Sequence, residues 1–183
     1  MIIIIGGSSH VGKTYLSQKL MERLNIPYTS LDHIKMGLIR SGMTKLTTED
    51  DYEMRYFMWP MVSEMIKTAI ENNQNMILEG CYVPGEWKES FSEEYLKEIH
   101  CVFIVMSEEY IRRNKEALKK YESVIEKRLY DEELDYERLI KCSKDFKEEC
   151  IKYETPCLEI CNDYDIDSIM EEALKLLKIE EVK

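Results

Sequence analysis

The chain has 183 residues, 44% apolar and 33% charged, which is the size and make-up of one globular domain and excludes a largely disordered or collagen-like chain. No apolar run approaches the roughly 20 residues of a membrane span. The short apolar start at residues 1–5 has no basic flank or cleavage site, so a cytoplasmic protein without leader or anchor is expected. With Lys+Arg 25 against Asp+Glu 36 the net charge is −11, which disfavours nucleic acid and anionic membrane as partners.

In chain order, residues 1–5 read as a strand buried on both faces, as in the centre of a parallel sheet. Glycines follow, then a helix from Lys13 to Leu24 with Leu16, Leu20, Met21 and Leu24 at helical spacing. Residues 28–31 form a short second strand ending at Asp32. The run 48–51 is a capping box for a helix that carries Met54, Met58, Met61 and Met65 on one stripe, read as core packing, with Pro60 set to kink it. A third strand at 76–78 ends in Glu79-Gly80. A fourth at 101–106 stops at Ser107, the N-cap of a helix running through a basic window. In that window, residues 111–128, seven basic residues against three acidic ones give +4, which suits a small anionic ligand better than a polyanion. A helix at Tyr136–Lys152, a strand at 156–160 and a helix at Ile166–Leu177 complete the chain. Five strands alternating with helices predict an α/β fold with a parallel sheet and right-handed crossovers, in a single domain. The six cysteines contain no C-x-x-C pair and are expected to stay reduced. A zinc site from Cys142, Cys150, Cys157 and Cys161 fits no common spacing.

The run Gly7-Ser-Ser-His-Val-Gly12-Lys13-Thr14 matches G-x-x-x-x-G-K-[ST] between a strand and a helix. Backbone N–H groups of Gly7, Ser8, Ser9, His10, Val11 and Gly12, continued by Lys13, Thr14 and Tyr15 at the helix start, are candidates to cradle phosphates. Lys13 supplies a compact charge for the β- and γ-phosphates, and the Thr14 hydroxyl a ligand for Mg²⁺. A GTPase would carry N/T-K-x-D, but Asn114-Lys115-Glu116-Ala117 lacks the Asp.

With this loop the sequence resembles the P-loop small-molecule and nucleotide kinases, such as shikimate, gluconate and adenylate kinases. The resemblance implies a three-layer P-loop NTPase fold with strand order 2-3-1-4-5. It also implies a substrate-binding helical region at about 33–72, a basic helical lid at about 108–135, and an adenine-cradling loop around Asn162 and Asp163. Glu79-Gly-Cys-Tyr-Val-Pro-Gly85 is similar to the E-G-x-H-x-x-P-G segment of 2-phosphoglycerate-kinase-like proteins, with Tyr82 where those have His.

Asp32 stands where the resembling kinases often hold an acid near the acceptor hydroxyl, to orient it and accept its proton or to hold a Mg²⁺-bound water. The alternative is a helix cap. Glu79, ending an apolar strand, is a Walker-B-type candidate to bind Mg²⁺ or grip a substrate hydroxyl, or else a buried structural carboxylate. Tyr82 is a weaker substrate-contact candidate. Arg112 and Arg113 open the lid region and are candidates to neutralise the transferring phosphate, with Arg128 a third. Arg112, Lys115 and Lys119 share one helical face, whose alternative reading is a solvated basic surface paired with Glu116 and Glu122. Arg40 and Arg55 are candidates to clamp an anionic acceptor, or else surface arginines.

The expected activity is a phosphotransferase moving the γ-phosphate of MgATP to a nucleoside monophosphate or a small phosphorylated or carboxylated metabolite, with ATP and Mg²⁺ required and the protein a monomer or homodimer. The rival expectation is a regulatory ATP-binding protein that hydrolyses slowly or not at all.

Overall fold

The computed structural model describes residues 1–121 and 134–179. Its centre is β1 (Ile2–Gly7), whose four successive isoleucines have no solvent exposure. Side chains alternate across a strand, so such a run needs both faces covered. Ile3 and Ile5 join one core, with Leu16 and Leu20 of α1 (Lys13–Leu24) and Ala173 and Leu174 of the C-terminal helix. Ile2 and Ile4 join a second core with Met54, Met58, Val62 and Ile66. Each isoleucine contributes about 1.5–3 kcal/mol by burial.

Four further strands, β2 (Tyr28–Ser30), β3 (Met76–Glu79), β4 (Ile99–Met106) and β5 (Cys157–Ile160), complete an all-parallel sheet. The order is β2-β3-β1-β4-β5, as the resemblance implied. The register pairs Ile5 and Ser30 with Glu79, so the carboxyl ends of β1, β2 and β3 come level. The flanking helices are α2 (Leu31–Arg40), α3 (Asp51–Glu71), α4 (Glu93–Leu96), α5 (Glu108–Arg113), α6 (Lys115–Tyr121), α7 (Tyr136–Lys152) and α8 (Ile166–Leu177). Among the described residues no helix is long and apolar enough to cross a membrane.

Several local expectations change. The second strand stops at Ser30, which takes the N-cap position, so Asp32 lies inside the first turn of α2 and is not its cap. The capping box before α3 does not form, because Asp50 turns back to accept from Thr47 N (2.7 Å) and Thr47 Oγ1 (2.8 Å). Pro60 lies within α3, which continues to Glu71. On its methionine stripe Met54 and Met58 are core, while Met61 and Met65 are exposed. Ser107 does cap α5, accepting from Tyr110 N at 3.1 Å. The basic-window helix breaks at Asn114, whose side-chain Nδ2 donates to Tyr110 O at 3.0 Å. Its backbone N–H donates to the same carbonyl, so Asn114 closes α5 as its C-cap, and Lys115 and Lys119 fall in α6, a separate helix from that of Arg112.

Candidate active site

The phosphate loop leaves β1 through Gly7, at φ 111°, where a Cβ would stand 2.1 Å from Ile104 O. It enters α1 through Gly12, at φ 80°, so both turns require the freedom of glycine. No acidic residue lies in the first turn of α1, so no side chain of the helix itself opposes its positive end. Ser8 anchors the loop: its N–H donates to Ile104 O (2.9 Å) and its hydroxyl meets Ser143 Oγ of α7 (2.9 Å).

Lys13 is buried, and its Nζ donates to Ser8 O (2.7 Å) and reaches Cys81 Sγ (3.2 Å) just beyond β3. Burial alone would push its ammonium down. Cys81, Glu79 and Asp32 outweigh that and hold it above its ordinary value. Thr14 Oγ1 donates to Glu79 Oε1 at 3.2 Å. Glu79 is 1% exposed, and burial pushes its carboxyl up, with Lys13 opposing and Asp32 adding to the rise. The Thr14 hydroxyl and the Glu79 carboxylate are the hard oxygen donors that suit Mg²⁺, so the residues present fit that ion. Among the described residues no group of three or more His, Cys, Asp or Glu side chains forms a metal cluster. The six cysteines are free thiols.

On the other side of Cys81, the Tyr82 hydroxyl ties the acceptor-side candidates together. It lies 3.2 Å from Asp32 Oδ1 and 3.0 Å from Asp51 Oδ1, sharing its proton between them, and accepts from Lys35 Nζ at 2.9 Å. Burial, then Asp32, raises the phenol far above its ordinary value, so it remains a donor. Lys35 is itself buried and paired with Asp51 at 2.5 Å.

The described candidate arginines sit on three helices, α2, α3 and α5. Arg40 is exposed at the last turn of α2, about 12 Å of helix rise from Asp32. Arg55 is buried rather than on the surface. Its Nε donates to Val83 O (2.9 Å) and its two Nη groups fork onto Glu149 of α7, Nη1 to Oε1 at 2.9 Å. Arg112 is exposed and paired with Glu108 and Glu137, both at 2.8 Å. These are different carboxylates from the ones expected for a solvated basic face. Arg113 donates to Cys161 O (3.4 Å) at the loop after β5. Arg128 and part of the expected lid lie outside the described residues.

Sequence reasoning missed Cys81, Lys35, Asp51, Glu149 and Tyr164. Cys81 and Lys35 had a signal, one following Glu79-Gly80 and the other one turn from Asp32 on the same helical face. Tyr164 had none: its Oη is 2.1 Å from where a Cβ on Gly12 would stand, and burial pushes its phenol up to about 12.

No protein-family model and no curated protein matches the sequence. The fold matches solved structures of P-loop kinases. A gluconokinase from Sinorhizobium meliloti 1021 superposes with TM-score 0.55 at 14% identity, over 97% of this chain and 90% of that one. A shikimate kinase from Bacteroides thetaiotaomicron gives TM-score 0.55 at 16% identity, over 98% and 99% of the two chains. A shikimate kinase from Acinetobacter baumannii, in complex with shikimate, gives TM-score 0.59 at 14% identity, over 100% and 95%.

Proposed function

We propose that the protein is an ATP-dependent phosphotransferase acting on the hydroxyl of a small-molecule acceptor. The observation that carries this reading is the convergence at the carboxyl ends of the central strands of a phosphate-loop lysine, a Thr14–Glu79 pair and Asp32, whose charge acts on both Lys13 and Glu79. Ligands of open α/β sheets sit at the carboxyl ends of the strands. The solved kinases of the same fold support the reading at the level of fold.

In this account the loop amides and Lys13 hold the β- and γ-phosphates, and Thr14 and Glu79 would hold Mg²⁺. When bound, that ion supplies neutralisation of phosphate charge. Asp32 accepts the proton of the acceptor hydroxyl at Oδ1 or Oδ2 and orients it in line. Tyr82, by donating to Asp32, holds that carboxylate in place. Arg113, beside the loop after β5, is the lid arginine we assign to the nucleotide, and Arg112 to the lid surface.

The test is ADP release from MgATP across nucleoside monophosphates, sugars, polyols, glycerates and shikimate-like acids. Stimulation by one compound class is expected. ATP binding with a flat panel would overturn the transferase reading in favour of a regulatory nucleotide binder.

A further inference from the structure

Arg55 is tied to the chain segment that carries Tyr82. Its Nε holds Val83 O, the next residue after Tyr82, whose hydroxyl touches Asp32. The guanidinium lies 4.7 Å from the Phe146 ring centroid, so its fork is fixed in direction by packing as well as by hydrogen bonds. A buried, pre-oriented guanidinium is a two-pronged seat for a carboxylate or phosphate. Here Glu149 fills that seat, with both of its oxygens on the two Nη groups. The second buried cation nearby, Lys35, is equally occupied by Asp51.

We propose that Glu149 is a specificity-determining residue that excludes acidic acceptors, so that the acceptor is a hydroxyl compound with no carboxylate or phosphate group facing Arg55. This deepens the phosphotransferase reading and rests on it. An anion entering the fork must expel Glu149, leaving a half-buried carboxylate without its partner. The surroundings oppose that exchange. Beside the pair opens a cleft of about 340 Å³ in which Glu86, Asp145, Glu148 and Glu149 face one cation, Lys152. A displaced Glu149 would join three other carboxylates, and the incoming anion would meet the same field. A neutral polyol meets neither penalty at a cleft that Tyr52 and Tyr56 also line.

The experiment is calorimetric titration of the MgADP-loaded protein with matched probes: gluconate against glucitol, and shikimate against methyl shikimate. Wild type should bind the neutral member of a pair more tightly. Glu149→Gln removes the charge and keeps the shape, and should tighten gluconate or shikimate at least ten-fold while shifting the neutral probe less than two-fold. Arg55→Gln added to Glu149→Gln should abolish that gain. No gain in Glu149→Gln, or an acid bound by wild type more tightly than its neutral partner, would overturn the proposal. The wild-type comparison decides it even if the Glu149 variant does not fold. These titrations are independent of turnover: a gain in acid affinity without acceptor-stimulated ADP release would retain the exclusion and sink the phosphotransferase reading instead.

Discussion

At Glu79 a carboxylate is nearly removed from water and faces Thr14 and Lys13, and burial dominates the outcome by raising its pKa above the ordinary 4.5. The sign of the resulting linkage is set by that direction. A carboxyl raised on folding contributes stability that is fully present below its unfolded value and lost as pH rises through its folded value. Metal-free wild type, held in chelator, should therefore lose thermal stability relative to Glu79→Gln as pH climbs from about 4.5 towards neutrality. The variant should melt higher at pH 8 and the two should converge at low pH. Parallel melting curves at every pH would show that Lys13 cancels the burial penalty. Asp32 presents the other kind of test, because its role is kinetic. Asp32→Asn preserves size and can still accept from Tyr82, yet has no basic oxygen to take a proton. Turnover should fall roughly 10²–10⁴-fold with ATP affinity nearly unchanged. An unchanged rate would reduce Asp32 to a partner of Tyr82.

Local signals explain which elements were legible. The bounds of α7 and α8 follow from their apolar spacing and from Asp135 and Asp165, which accept from Arg138 N (3.0 Å) and Ser168 N (3.2 Å) as N-caps. The phosphate loop was legible for the same reason, since glycine, lysine and threonine act within one strand–loop–helix turn. The break at Asn114 was not, because one residue amid otherwise helical ones leaves helical geometry there, at φ −111° and ψ 28°. Nor were the long-range partners: Glu149 meets Arg55 from 94 residues away, and Tyr164 covers Gly12 from the far edge of the sheet. That last contact makes the helix start testable. In Gly12→Ala the new Cβ would meet Tyr164 Oη at 2.1 Å, on a backbone at φ 80° that only glycine holds without strain. Urea unfolding should show a loss of about 1–3 kcal/mol from the strained conformation and the clash together. Adding Tyr164→Ala should relieve the clash but leave the backbone penalty. An unshifted midpoint in Gly12→Ala would mean that loop and ring are not packed as described.

Over the whole molecule, the parallel sheet converts five separate strand ends into one ligand edge. Ile5, Ser30 and Glu79 are level by register, so residues from three βα connections meet without any being near in sequence. The same register joins the two cores, because β1 places alternate isoleucines in each. A nucleotide held on that edge should therefore stabilise the fold as a unit, by RT ln(1 + [L]/Kd), or about 2.7 kcal/mol at a hundredfold excess over Kd. For a chain of this length that corresponds to a rise in Tm of roughly 5–10 °C. Lys13 sits on the path of this coupling: it bridges the loop carbonyl of Ser8 and Cys81 at the end of β3. Lys13→Ala should remove most of the MgADP-induced shift and abolish turnover. Its ligand-free Tm should fall without loss of the fold, since Glu79 and Asp32, which hold the ammonium above its ordinary value, lose their counter-charge along with those two contacts. Thermal melts of both proteins with and without MgADP decide the matter. A shift that survives in Lys13→Ala would place the nucleotide's binding energy in the loop amides alone, and a wild type that does not shift at all would remove nucleotide binding from the account of this edge.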